Sequence, residues 1–214
     1  VAAAAAKLGV KVAFIGKAGN DMHGRFLKET LDKCGIDSNG FILSEDYFTT
    51  LAFVNVKPYG EREFSFARNH GADKMLNAAE PAAADIPFDI LLSAKILHIG
   101  SISLTDEPCR GATMFAVKKA KENGIIISYD PNYRESLWNS EAQAVEQMRS
   151  IIKYADIMKI SDEETKLLTD KESPEEATEI LFRKGVKIVA VTLGSDGAYL
   201  YCKEGGVHIP GFVS

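Results

Sequence analysis

From Lys95 onward the sequence alternates strand-sized apolar runs with stretches of helical period, and few architectures accept that pattern. The runs Lys95–Ile99, Ile125–Tyr129, Asp156–Ile160 and Lys187–Thr192 read as strands. Between them, Ala112, Phe115, Ala116 and Ala120 share one helical face before Asn123 and Gly124 stop it, and Val145, Met148 and Ile152 share another. A further helix opens on Ser173-Pro174-Glu175-Glu176, which combines an N-cap, a proline at the first helical position and a Glu three residues after the cap; it runs to Lys184 and Gly185. Strands separated by helices imply parallel neighbours joined by crossovers, so the expected fold class is α/β, a doubly wound, Rossmann-like, mostly parallel sheet.

One segment breaks the alternation. Leu51–Lys57 and Arg62–Ala67 are β-rich runs joined by Pro58-Tyr59-Gly60-Glu61, which has the composition of a hairpin turn. A two-stranded ribbon is marginal by itself and needs a sheet, a ligand or a second copy to pack on. The expected organisation is an α/β core from residues 1–48 and 69–214, with a β lid inserted at 49–68 that is also placed to clasp a second copy.

Composition narrows function by exclusion. At 214 residues the chain is long enough for one core plus a small lobe. Twenty-five Lys and Arg against thirty Asp and Glu leave a net charge of −5, with no basic excess to neutralise a nucleic-acid backbone. Three widely spaced cysteines, Cys34, Cys109 and Cys202, form no Cys-x-x-Cys pair, so neither a disulfide framework nor a zinc site is expected and a reducing cytoplasm fits best. No apolar run approaches the roughly 18 residues of a membrane-spanning helix. Val1–Leu8 reads as the last turns of a helix stopped by Gly9, with neither an initiator Met nor a cap before it, and Val207–Ser214 reads as a short strand with no helix after it. The expectation is a fragment cut at both ends.

Ligands of open α/β sheets bind beyond the carboxyl ends of the strands, so the residues after each strand are the candidates. After Tyr129 come Asp130-Pro131-Asn132-Tyr133-Arg134, a carboxylate, an amide and a guanidinium able to grip a phosphate or carboxylate in forked geometry, although the same residues also make an ordinary loop. After Ile160 come Ser161-Asp162-Glu163-Glu164, which read equally as an acidic group beside Mg²⁺-bound phosphates or as a plain capping box. After Thr192 come Leu193-Gly194-Ser195-Asp196-Gly197, whose glycines either let backbone amides approach a nucleotide or turn a hairpin into the strand Ala198–Tyr201. Gly16-Lys17-Ala18-Gly19, expected after a strand at Val12–Ile15, fits neither G-x-G-x-x-G nor a P-loop and reads better as a turn with close helix approach. Arg62, Arg68, Asn69 and Asp73 lie on or just after the hairpin, as lid contacts or as surface charges. His98, mid-strand, is expected in the core, and His23, His70 and His208 are too scattered for a metal site.

Several segments follow one another in a telling order: Ala13-Phe14-Ile15-Gly16-Lys17 with Gly19 and Asp21; Gly60-Glu61-Arg62-Glu63-Phe64 leading to Arg68-Asn69 and Ala72-Asp73; and Gly100-Ser101-Ile102-Ser103-Leu104 with Glu107-Pro108-Cys109. Asp130–Arg134 with Leu137-Trp138, Lys159-Ile160-Ser161 through Glu164, and Val191-Thr192-Leu193-Gly194 with Gly197 complete the series. In this order and spacing the chain resembles, over essentially its whole length, the ribokinase-like carbohydrate kinases, or phosphofructokinase B group, and within it the fructokinases of plants and bacteria.

The resemblance implies transfer of the γ-phosphoryl group of ATP to the 6-hydroxyl of D-fructose, giving fructose 6-phosphate and ADP, with Mg²⁺ and K⁺ as ions. By the same resemblance Arg68 and Arg134 are substrate contacts. Asn132, Ser161, Thr192, Leu193, Gly194, Ser195, Asp196 and Gly197 belong to the ATP site, and Glu164 organises Mg²⁺ through water. Ser161 stands where many members carry Asn. The family's sugar-binding Gly-Gly and Asn motif and its Gly-Ala-Gly-Asp motif are not in the sequence; the second supplies the catalytic Asp and an anion-binding helix start. The expectation is therefore a piece of a kinase that carries no base of its own and is inactive alone. The competing readings are a kinase for 2-keto-3-deoxygluconate or ribose, a non-catalytic sugar- or nucleotide-binding regulatory member of the fold, and a nicotinamide oxidoreductase, whose glycine fingerprint is missing.

Overall fold

The structure is a computed structural model describing residues 1–58, 62–78 and 85–212. The chain divides into two compact units, Val1–Leu91 with Asp106–Thr113, and Leu92–Thr105 with Met114–Ser214.

In the first unit, helix α1 (Ala2–Lys7) gives way to Gly9 in the left-handed region at φ 84°. Strand β1 (Gly16–Gly19) is followed by α2 (Met22–Lys33) and by β2 (Phe41–Ser44), which pairs with β1 in parallel from Gly16↔Phe41 to Gly19↔Ser44. The strand expected at Val12–Ile15 thus begins later, and the glycine segment read as a loop is itself the strand. The reason is pairing, since Gly16–Gly19 find a partner strand in Phe41–Ser44. Residues 12–15 make only an isolated bridge, Ala13 to Asp37, whereas the small residues of β1 let α2 lie close. A Cβ on Gly24 would overlap the Gly19 carbonyl, and one on Gly19 would come within 2.7 Å of the Thr49 amide and the Tyr47 carbonyl.

Asp21 caps α2. Its carboxylate accepts from the amides of His23 and Gly24 and from both the amide and the hydroxyl of Thr49, tying the helix start to the chain entering the hairpin. Burial alone would raise its pKa; the hydrogen bonds from Thr49, Gly24 and His23 outweigh that and draw it from 3.8 down to about 2. A depressed carboxyl stabilises the fold above its unfolded pKa and ceases to as pH falls through the folded one. Allowing for partial solvent screening, Asp21→Ala is expected to cost on the order of 1–2 kcal/mol at pH 7. Urea midpoints of the two proteins should converge between pH 3.8 and 2; a gap that persists at the lower pH would contradict the assignment.

Strands β3 (Leu51–Val56) and β4 (Arg62–Ala67) form the expected antiparallel ribbon, in register from Leu51↔Ala67 to Val56↔Arg62. Of the turn read at 58–61, residues 59–61 lie outside the described residues. The ribbon carries apolar side chains in the open, with Phe53 59% and Val56 65% exposed and the Phe64 and Phe66 rings stacked 6.2 Å apart.

Helix α3 (Phe88–Ser93) leads into the second unit, whose elements in chain order are β5 (Ile96–Ile99), α4 (Cys109–Glu122), β6 (Ile126–Tyr129), α5 (Glu141–Ile152), β7 (Ile157–Ser161), α6 (Asp162–Thr169), α7 (Pro174–Arg183), β8 (Ile188–Thr192), β9 (Ala198–Cys202) and β10 (Gly205–Ile209). The first residues of α4 belong to the first unit. The sheet runs β10-β9-β8-β7-β6-β5, parallel from β5 to β8 and antiparallel over the last two strands. This is an α/β fold with a mostly parallel sheet and a β hairpin. The core is one cluster in which Tyr129, Met158, Ile160, Val189 and Val191 of the sheet meet Val117, Met148, Ile151, Leu168 and Leu181 of α4–α7. Each such side chain contributes about 1.5–3 kcal/mol by leaving water.

Strand alternation corrects the reading of His98. Leu97 and Ile99 pack against the core cluster, so His98 points to the other face, where it is exposed and lies 3.0 Å from the hydroxyl of its register partner Ser128. It is not a core histidine. Ile96, Ile126 and Ile188 share that face and are 39–51% exposed.

Candidate functional site

The residues of interest in the second unit collect at the carboxyl ends of β6, β7 and β8. Parallel pairing sets Ser161 beside Thr192, and the Thr192 hydroxyl donates to the Ile160 carbonyl at 3.3 Å. Beyond β6 the chain turns sharply, with Asn132 in the left-handed region at φ 48°, a conformation Asn tolerates better than most residues.

Glu164 fastens this edge together. Only 4% exposed, it accepts from the Ser161 amide at 2.8 Å through one oxygen and from the Tyr133 amide at 2.6 Å through the other, while the Ser161 hydroxyl accepts from the Glu164 amide. The first and third of these bonds are the capping box legible in the sequence. The second, to a residue 31 positions away, clamps the loop after β6 onto the start of α6. Arg134 continues that loop, with a guanidinium nitrogen donating to the Tyr133 carbonyl at 2.7 Å.

The glycine turn after β8 is a short 3₁₀ segment, Gly194–Asp196, with Gly194 and Gly197 at φ 57° and 97°. It is closed by amides of Leu193 to Gly197, Asp196 to Leu193 and Gly197 to Gly194. The same edge holds two groups that lie within the motif segments without a role assigned from the sequence. Lys159 faces Asp130 at 3.6 Å, across neighbouring strands. Alternation within Ile157-Met158-Lys159-Ile160-Ser161 puts Lys159 on the face of Ser161, so it could have been found from the sequence. The Ser101 hydroxyl after β5 is fully buried, and among the described residues neither it nor Asp130 Oδ1 has a hydrogen-bond partner.

Arg68 belongs to the first unit and Arg134 to the second. The Arg68 side chain is 10% exposed and its Nε donates to Asp73 at 2.7 Å; Asp73 also accepts from the Thr50 hydroxyl. Beside this pair lies a cavity of about 310 Å³ lined by Asn69, His70, Lys74, Asp106 and Glu107 among others, with Lys74 and Asp106 paired at 3.1 Å. Arg62 sits on β4 opposite Val56.

The family model for the pfkB family carbohydrate kinases matches residues 1–214. The chain belongs to this family. It is 44% identical over 214 residues to a protein named probable fructokinase-5 from Arabidopsis thaliana, covering 99% of this chain and 64% of that one. It is 43% identical over 213 residues to fructokinase-2 from Oryza sativa subsp. japonica, covering 99% and 62%. The chain thus spans just under two thirds of these curated relatives. Among solved structures, a PfkB protein from Polaromonas sp. JS666 superposes with a TM-score of 0.90 at 27% identity, covering 99% of this chain and 70% of its own. The fructokinase of Vibrio cholerae O395, in a form bound to fructose, ADP and calcium, does so with a TM-score of 0.86 at 31% identity, covering 100% and 67%.

For a member of the pfkB family the ion question is one of donors. Both Glu164 oxygens are held by backbone amides, and the described residues contain no group of three or more His, Cys, Asp or Glu fit to hold a metal. With each oxygen already accepting from an amide, Glu164 would act on an ion at this edge through intervening water. No helix among the described residues is long and apolar enough to cross a membrane.

Proposed function

We propose that the protein is an ATP-dependent sugar kinase that transfers the γ-phosphoryl group to the 6-hydroxyl of D-fructose, yielding fructose 6-phosphate and ADP. The observation that carries this reading is the convergence of Asn132, Glu164, Ser161, Thr192 and the Leu193–Gly197 turn on one sheet edge, in a family member 44% identical to a plant fructokinase. The sugar oxygen forms a bond to the γ-phosphorus, the bond to the ADP oxygen breaks, and the hydroxyl proton must pass to a base. No residue of 1–214 is assigned as that base, so this chain alone is expected to bind and not to turn over.

In this reading Thr192, Leu193, Gly194, Ser195, Asp196 and Gly197, with Ser161 and Asn132, receive the nucleotide. Arg68 and Arg134 contact the sugar or the phosphoryl group in flight. Glu164 keeps the loop after β6 in place and orders the water around Mg²⁺, with K⁺ as an accessory ion. The Ser101 hydroxyl, without a hydrogen-bond partner among the described residues, and Asp130 Oδ1, met only by Lys159 at 3.6 Å, are groups that a polar ligand would satisfy. Residues 1–48 and 69–214 form the core of the kinase and 49–68 its lid. The open apolar side chains of the ribbon support a homodimer formed through it, and three unpaired cysteines fit a cytoplasmic enzyme.

Titration of the chain with MgATP is expected to saturate one site. Gly194→Val, which forces a β-branched residue into a positive-φ position, should weaken it about tenfold or more. A wild-type chain that folds and takes up no MgATP would contradict the reading. Light scattering on the same samples reports the clasp, as Phe53→Glu should halve the mass of a dimer.

A further inference from the structure

The turn assigned to the nucleotide is held from outside by a segment that no motif singled out. Strand β10 pairs with β9 so that His208 stands opposite Tyr199 and Ile209 opposite Ala198, which carries the chain back over residues 193–197. There His208 Nε2 lies 2.9 Å from the Asp196 carbonyl oxygen. A carbonyl only accepts, so Nε2 carries the proton in this contact, and it does so whether the ring is neutral in that tautomer or charged.

Two glycines complete the fit. A Cβ on Gly197 would collide with the Ile209 carbonyl and come within 2.5 Å of the Gly211 amide, and a Cβ on Gly211 would collide with the Ser195 carbonyl. Turn and returning segment are thus packed backbone against backbone, at a distance only glycine allows. The turn's own closing bonds come from Leu193, Asp196 and Gly197, which leaves the Gly194 and Ser195 amides without a protein acceptor among the described residues. Those two amides are the turn's available donors for an anionic oxygen, and their direction depends on how the Asp196 peptide is held.

We infer that His208–Gly211 is a strap that fixes the shape of the Leu193–Gly197 turn, with His208 as a positioning residue for the phosphates or ribose of the bound nucleotide. The inference rests on the reading of that turn as a nucleotide contact. His208 itself is exposed and contributes little to the core, so its replacement should act on the turn and not on the fold as a whole.

The test compares His208→Leu, which removes the donor, with His208→Gln, whose amide nitrogen reaches the place of Nε2. Two quantities are read on the 214-residue chain: hydrogen exchange at the Leu193 and Asp196 amides without ligand, and the dissociation constant for MgATP. The strap predicts about tenfold faster exchange at both amides in the Leu variant, a dissociation constant raised by a similar factor, and recovery of both to within about threefold in the Gln variant. Gly211→Ala, which leaves His208 intact and obstructs Ser195, should also weaken MgATP. Unchanged exchange in the Leu variant would overturn the strap. Faster exchange with unchanged MgATP affinity would overturn the positioning role alone. Faster exchange in a chain whose wild type takes up no MgATP would overturn the nucleotide reading, and the positioning role with it, while leaving the strap as a structural fact.

Discussion

Asp156→Ala is expected to lower the folding stability of the chain by about 2–4 kcal/mol, seen as a large drop in urea midpoint at unchanged slope. Asp156 is 4% exposed and sits at the foot of β7, where its carboxylate accepts from the Ile127 amide at 3.0 Å and from the ammonium groups of Lys121 and Lys187 at 2.9 Å. Its backbone joins the same seam, donating to the Ile127 carbonyl and accepting from Lys187 and Ile188. Truncation leaves the Ile127 amide buried and unpaired, which is the larger part of the cost. The two lysines are well exposed and rehydrate, so Lys121→Met and Lys187→Met should each cost under about 1 kcal/mol. Burial pushes the Asp156 carboxyl up, but the Ile127 amide and the two lysines hold it below the usual carboxylate range. Its contribution is therefore full above the unfolded value of 3.8 and fades as pH falls through the lower folded value. An Ala variant within about 1 kcal/mol of wild type would contradict this account of the seam.

The second large effect concerns catalysis. Joining residues 1–214 to the remaining N- and C-terminal parts of a plant fructokinase supplies both the sugar-binding Gly-Gly and Asn motif and the Gly-Ala-Gly-Asp motif, and in that chimera Glu164→Ala is expected to cut the rate of phosphoryl transfer on the order of 100-fold. The loss has two sources that can be separated. Without the carboxylate, the Tyr133 and Ser161 amides lose their acceptor, so the Asn132–Arg134 loop and the start of α6 are no longer tied. In the proposed reading, loss of its charge would also release the ordered water around Mg²⁺ on the nucleotide. Excess Mg²⁺ should restore part of the rate if the second source matters. A Mg²⁺ dependence identical to that of the parent chimera would leave Glu164 as a clamp only, and an unchanged rate would remove it from the site.

Much of this arrangement is legible in the sequence, for identifiable reasons. The strands from Ile96 to Thr192 carry the β-branched runs and helical partners that make a parallel sheet, and the caps at Ser161 and Ser173 are local patterns that the structure reproduces. Strand β1 is not legible, because Gly16-Lys17-Ala18-Gly19 has no apolar alternation and becomes a strand only through its pairing with Phe41–Ser44. The exposure of His98 is not legible either, since which face of a strand is covered depends on helices elsewhere in the chain. The bond from Glu164 to Tyr133 spans 31 residues and leaves no trace in local spacing. The same holds for His208, whose importance lies in reaching a carbonyl 12 residues away.

The most direct measurement is fructose-dependent release of ADP from MgATP in a coupled assay, run side by side on residues 1–214 and on the chimera. The account predicts turnover by the chimera with fructose in preference to ribose and 2-keto-3-deoxygluconate, and none above background by residues 1–214. Fructose-dependent turnover by residues 1–214 alone would show that a base lies within them, and a folded, ATP-binding chimera that phosphorylates no sugar would contradict the kinase reading itself.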